Sequence, residues 1–258
     1  MICTNCAAAC VDGAKFCNEC GAALTAEKNG KTATRIADPR ELARTIVSRT
    51  GVLQRKRQAD IMFVLDCTGS MGGEINAIKD TFCEFADTIA SDGVRARVGV
   101  TAFRDRLINE EHEVLRFDDG AVFTSNPQAF RRAVSHLEAH GGGDRPESSA
   151  DAIVEACRHF SSDAERVLGL VTDAPPHFPD RDTATVEAVK EAMKKAGITQ
   201  MYLIIRTQDP DSQVYLRLLE GIRGQAFELG SGEEFRSRSN DFKRTLMALG
   251  KTISAATR

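Results

Sequence analysis

The sequence has no apolar run near the ~18 residues that would suggest a membrane span. Its opening, Met1-Ile2-Cys3-Thr4-Asn5-Cys6, lacks the basic-then-apolar layout of a secretory signal. These absences predict a chain that stays in the cytosol, with no membrane contact. Proline is scarce at seven residues, and 42% hydrophobic against 28% charged residues excludes collagen-like, mucin-like and wholly disordered chains. Positive charge is not in surplus either: a net charge of -3 and a pI near 6.0 disfavour a general nucleic-acid binder. What is present is a chain of 258 residues, longer than a typical domain of about 100 to 200 residues, which predicts one principal domain with a small attachment.

The charge is unevenly placed. Residues 1–24 hold Lys15 against Asp12 and Glu19, residues 25–58 hold nine Lys/Arg against three Asp/Glu, and this leaves an acidic surplus in residues 59–258. The expected organisation is a near-neutral head at 1–24, a basic linker with a short helix at 25–58, and an acidic body at 59–258. The helix is bracketed by Asp38 as N-cap with Pro39 behind it, and by Gly51 at its end.

Cysteine is uneven too. Cys3, Cys6, Cys10, Cys17 and Cys20 crowd the head, whereas Cys67, Cys83 and Cys157 are scattered. Cys3-x-x-Cys6 and Cys17-x-x-Cys20 each let one tight turn aim two thiolates at a single tetrahedral ion, and Zn²⁺ with four sulfur ligands is the natural occupant. So short a head has no self-sufficient core, so the ion's binding energy would be its folding energy. Disulfides or a redox pair are the alternative, and Cys10 is either a spare thiol or a substitute ligand. The head resembles the zinc ribbons of many bacterial proteins, and its lack of a basic face points to a protein partner.

From residue 60 onward, apolar strands alternate with amphipathic helices. Strands are predicted at Ile61 to Leu65, Val94 to Ala102, His112 to Phe117, Val167 to Val171, Met201 to Ile205 and Gln225 to Leu229. Helices are predicted at 75–89, 127–139, 147–160, 182–196, 211–221 and 236–254. This order predicts an α/β fold: a doubly wound, mostly parallel sheet with helices on both faces, whose ligands gather where the strands end. Three such ends are rich in oxygen: Asp66-Cys67-Thr68-Gly69-Ser70, Gly141-Gly142-Gly143-Asp144, and Thr172-Asp173. Together they can hold one hard divalent cation with an open coordination position, the glycines keeping side-chain bulk away. Each acid has a plainer reading as a helix cap. Glu147 reads as a helix-dipole residue, and His177 as part of a rigid exposed loop among Pro175, Pro176 and Pro179.

Asp-x-Thr-Gly-Ser after an apolar strand, a Gly-Gly loop before a helix, and Thr-Asp at a later strand end resemble the metal-ion-dependent adhesion site of von Willebrand factor type A domains. The likeness spans about residues 59–255. Phe103-Arg104-Asp105, Gly-Gly-Gly-Asp and Asp-Ala-Pro-Pro-His are similar to intracellular bacterial and alpha-kinase-associated members. The resemblance implies that Asp66, Thr68, Ser70 and Asp173 hold Mg²⁺ or Mn²⁺, and that a partner's Asp or Glu completes the coordination. The family's usual threonine is matched here by Asp144, which either enters the shell or yields to Ser148 or Ser149. The resemblance also implies work beside ATPases or kinases in bacterial stress or conflict systems. The expected function is therefore a non-enzymatic, metal-dependent protein-interaction module with the ribbon as second contact. One alternative is a Mg²⁺-dependent phosphohydrolase, since the Asp66 loop also resembles the aspartyl-phosphate loop of haloacid dehalogenase enzymes, with Cys67 in place of the lysine. Another is nucleic-acid binding through the ribbon and the Arg55-Lys56-Arg57 cluster.

Overall fold

The computed structural model describes residues 9, 10, 58–72, 75, 76, 85 and 95–229. The proposed zinc ligands Cys3, Cys6, Cys17 and Cys20 lie outside the described residues, as do the linker helix and the last helix. The chain divides into two compact units, Met1–Arg55 and Lys56–Arg258. Among the described residues no helix is long and apolar enough to cross a membrane.

In the second unit the strands are β1 (Gln58–Asp66), β2 (Arg95–Phe103), β3 (Glu113–Val114), β4 (Glu165–Val171), β5 (Gln200–Ile205) and β6 (Arg223–Glu228). They form one sheet in the order β3-β2-β1-β4-β5-β6, parallel throughout except for β3. The helices are α1 (Pro127–Ser135), α2 (Ser149–Ala156) and α3 (Val186–Lys195), and Ser212–Leu219 forms a 3-10 helix where an α-helix over 211–221 is expected. The strand expected at His112 to Phe117 shrinks to two paired residues: the Leu115 amide still donates to the Val100 carbonyl, but Phe117 already bonds to Ala121 and Gly120 in a turn.

The apolar run of β1 is explained by cover on both faces. Ile61, Phe63 and Leu65 pack into one layer with Phe130 and Val134 of α1, while Met62 and Val64 pack into the other with Ile153 of α2, Val189 and Met193 of α3, and Tyr215. Ile75 and Phe85, from the helix expected at 75–89, join the first layer. Local chemistry fixes the helix starts: the Asn126 side chain accepts from the amides of Gln128 and Ala129 ahead of Pro127, and Thr185 accepts from Ala188.

Gly99 of β2 lies opposite Met62 and close to the crossing backbone. A Cβ there would stand 2.7 Å from the Val122 carbonyl oxygen and 3.2 Å from the Met62 side chain. Backbone cannot yield as a side-chain tip does, so Gly99→Ala is expected to destabilise the protein by about 2 kcal/mol. A denaturant midpoint equal to wild type would refute this.

Chain order places β2 on one side of β1 and β4 on the other, so the connections leave in opposite directions between β1 and β4. That crevice, at the carboxyl ends of the two strands, is where doubly wound sheets hold ligands.

Candidate metal centre

Asp66 is the last residue of β1, and Thr172 directly follows β4. Because Leu65 pairs with Val171, the two next residues stand side by side. The Thr172 hydroxyl donates to Asp66 Oδ2 at 2.6 Å. Asp66 Oδ1 accepts from the Thr68 amide at 2.9 Å and the Thr68 hydroxyl at 2.7 Å. Thr68 Oγ1 lies 3.3 Å from Ser70 Oγ, and Ser70 donates to Asp173 Oδ1 at 2.8 Å. Four of the five sequence-predicted residues, Asp66, Thr68, Ser70 and Asp173, thus form one continuous chain of oxygens. Ser148 and Ser149 are buried and turned to other work: Ser148 Oγ accepts from the Arg106 amide, and Ser149 Oγ meets Tyr215 Oη at 2.7 Å.

Asp144, the fifth, lines the same cleft with Thr68, Gly142, Glu147 and Asp173. Its exposed carboxylate has a different neighbour, however: Oδ1 stands 3.8 Å from His177 Nε2.

The glycine loop approaches the first loop closely. Gly69 donates to the Gly141 carbonyl, and His140 donates to that of Cys67. Gly141 and Gly142 have φ of +74° and +81°, and a Cβ on Gly142 would stand 2.7 Å from Glu147 Oε1 and 3.1 Å from Thr68. These two glycines are therefore required both by conformation and by space. Arg104 clamps the loops: Nε donates to the carbonyls of Cys67 and His140, and Nη2 to that of Glu138. Cys67 is fully buried in one core layer and Cys157, the C-cap of α2, is buried in the other, so both pack.

Sequence reasoning put Glu147 in the first turn of a helix, as a dipole-complementing residue. The helix begins only at Ser149, so this residue precedes the first turn. Its amide donates to the Pro175 carbonyl, and its side chain is 3% exposed with Oε2 lacking any hydrogen-bond partner among the described residues. Burial, followed by the charges of Asp66, Asp105, Glu110 and Asp144, raises its pKa to about 9. Asp66 is raised to about 6 by burial, against the lowering effect of its bonds from Thr172 and Thr68. His177, read as exposed, has a side chain only 12% exposed. A sequence signal for Glu147 existed in the Asp-Arg-Pro-Glu run, since Pro146 forces an extended residue before it and delays the helix.

The donor set is oxygen only and rich in carboxylate, and an unpartnered buried carboxylate sits beside it. These features suit a hard divalent cation held by Asp66, Thr68, Ser70 and Asp173, which would draw the two acids back into their charged forms. Arg206 now takes part of that role, with Nη2 2.9 Å from Asp173 Oδ2. Removing this half-exposed competitor in Arg206→Gln is expected to tighten Mg²⁺ binding several-fold by calorimetry; weaker binding would assign Arg206 a supporting role instead.

Comparison with known proteins identifies the family of the domain. The von Willebrand factor A domain family profile matches residues 112–228. Human von Willebrand factor A domain-containing protein 7 is 36% identical over 207 residues, which is 76% of this chain and 21% of that protein. Its rat counterpart is 30% identical over 59% of this chain and 15% of that protein. The chain thus spans about a fifth or less of the length of these relatives. Among solved structures, the pilus adhesin SpaC from Lactobacillus rhamnosus GG aligns with a TM-score of 0.54 at 13% identity, covering 78% of this chain and 30% of that one. Proximal thread matrix protein 1 from the mussel byssus aligns at 0.50 and 16% identity, covering 75% and 48%. Both share the fold. With the profile match, the homology and the crevice between β1 and β4 taken together, this chain is a von Willebrand factor A domain protein.

Proposed function

We propose that the domain is a metal-dependent protein-interaction module rather than an enzyme. Asp66, Thr68, Ser70 and Asp173 hold Mg²⁺ or Mn²⁺, and an Asp or Glu of a protein partner, an ATPase or a kinase in the reading from resemblance, fills the open position. The carrying observation is the single chain of oxygens linking β1 to β4. Cys3, Cys6, Cys17 and Cys20 hold Zn²⁺ in a ribbon that supplies a second contact, so that two weak contacts on one chain gain from effective concentration. The protein works in the cytosol.

Against the phosphohydrolase alternative, Cys67 stands where the aspartyl-phosphate loop has its lysine, and its side chain is buried in the core, away from any substrate. Phosphoryl transfer to an aspartate needs a cation beside it to offset the phosphate's charge. We favour binding over turnover for that reason.

The deciding experiment is capture of a partner by the immobilised full chain in Mg²⁺, in EDTA, and with Asp66→Ala. Capture is expected only for wild type in Mg²⁺. Equal capture in all three arms would remove the metal from the account, and phosphatase turnover dependent on Asp66 would replace the module with an enzyme.

A further inference from the structure

We propose that Asp105, Asp144 and His177 form a second cation site beside the first, built for a first-row transition ion. The three residues come from three separated parts of the chain: Asp105 just after β2, Asp144 at the end of the glycine loop, and His177 beyond β4. One potential ligand atom from each lies within 4.8 Å of the other two. His177 Nε2 stands 3.4 Å from Asp105 Oδ1 and 3.8 Å from Asp144 Oδ1. Ligands about 2.1 Å from a tetrahedral ion lie about 3.4 Å apart, so one ion fits among them with small adjustments of the exposed Asp144.

Two further observations point to a cation. His177 Nε2 is a buried nitrogen without a hydrogen-bond partner among the described residues, an expensive arrangement that calls for an explanation. Glu147, buried between the two centres, likewise leaves Oε2 without a hydrogen-bond partner among the described residues, within the field of Asp66, Asp105, Glu110 and Asp144. The arginines of the surrounding loops are committed elsewhere. Arg104 serves carbonyls, Arg106 serves Asp151, Asp182 and Glu111, Arg145 serves Asp209 and Asp211, and Arg206 serves Asp173. Among the described residues no arginine pairs with Asp105 or Asp144, and His177 is the group that faces both.

The backbone holds the set in place. Asp105 Oδ1 accepts from the Leu107 amide at 2.8 Å, the His177 amide donates to the Glu147 carbonyl at 3.0 Å, and Gly143 leaves room beside Asp105 Oδ2, 3.6 Å from where its Cβ would be. One imidazole nitrogen with two carboxylate oxygens suits Mn²⁺, Fe²⁺ or Zn²⁺, whereas the oxygen-only set around Asp66 suits Mg²⁺. Asp144 and Glu147 border both centres, but the ligand sets are separate, so the variants at Asp66 and His177 distinguish the failure of one from that of the other.

Mn²⁺ is the suitable probe for the full chain, because thiolates of the cysteine-rich head bind it poorly. Chelator-stripped protein is titrated with Mn²⁺ while the electron paramagnetic resonance signal of free ion counts the sites, and electron spin echo modulation reports nitrogen bound to manganese. Wild type is expected to bind with ¹⁴N modulation. His177→Gln should lose one equivalent and the modulation, while Asp66→Asn keeps the modulated ion. Asp144→Asn, at a side chain 70% exposed and so harmless to folding, should weaken the modulated ion at least tenfold. Wild type without ¹⁴N modulation, or modulation that survives either His177→Gln or Asp144→Asn undiminished, overturns the proposal.

Discussion

Asp66→Asn is expected to leave the fold intact and to lower divalent-cation affinity by about 100-fold or more, beyond the 10- to 100-fold typical of losing an outer-shell partner. The fold survives because the new amide finds partners already in place. Its oxygen can keep the bonds from the Thr68 amide and hydroxyl, and its NH₂ can donate to Thr172 Oγ1. The Thr172 hydroxyl then turns to the Ala174 carbonyl, which it already approaches at 3.2 Å. What is lost is the carboxylate charge that joins the ends of β1 and β4. Isothermal calorimetry with Mg²⁺ and Mn²⁺, together with a thermal melt in EDTA, reads the two effects separately. Affinity within threefold of wild type would mean that the ion, if bound, sits elsewhere.

In EDTA the protein is expected to lose stability as pH rises from about 4 to 9, and saturating Mg²⁺ is expected to restore it. Asp66 has its carboxyl raised from 3.8 to about 6, and Glu147 from 4.5 to about 9. A carboxyl with a raised folded-state pKa binds its proton more tightly when folded. Its contribution is fully present below the unfolded value and disappears as pH climbs through the folded one. Two such groups make the loss on the order of 3 kcal/mol or more across that window. The direction is opposite to acid denaturation driven by salt-bridged carboxylates, which makes it diagnostic. Urea midpoints at several pH values in EDTA should fall towards alkaline pH and flatten in Glu147→Gln. A midpoint that rises with pH in the wild type would show that other groups dominate.

The sequence revealed the parts of the fold that depend on local pattern. The unbroken Ile61 to Leu65 run marks a strand covered on both faces, and the alternation through Val98 and Val100 marks β2. Asp66, Thr68 and Ser70 were legible because one turn carries all three. Asp173 was legible because Thr-Asp follows an apolar strand. The Asp105–His177 contact was not, since the residues are far apart in sequence and only the order of β2, β1 and β4 brings them together. The role of Arg104, which binds three carbonyls, was equally hidden, because nothing in a sequence marks which backbone oxygens a guanidinium will find. Glu147 was misread for a sharper reason: an acid just before a helix usually solvates free amides, and only the late start of α2 turns this one inward.

The position of β1 and β4 in the middle of the sheet has a consequence for how such a domain can change over time. The grip belongs to the two innermost rungs, so loops and margins far from them, such as β3 or β6, can lengthen, fray or acquire new surfaces without disturbing it. New partners can be recruited at the periphery while the anchor stays as it was, whereas a single insertion between Val171 and Thr172 would shift the neighbouring ladder and undo the anchor at once.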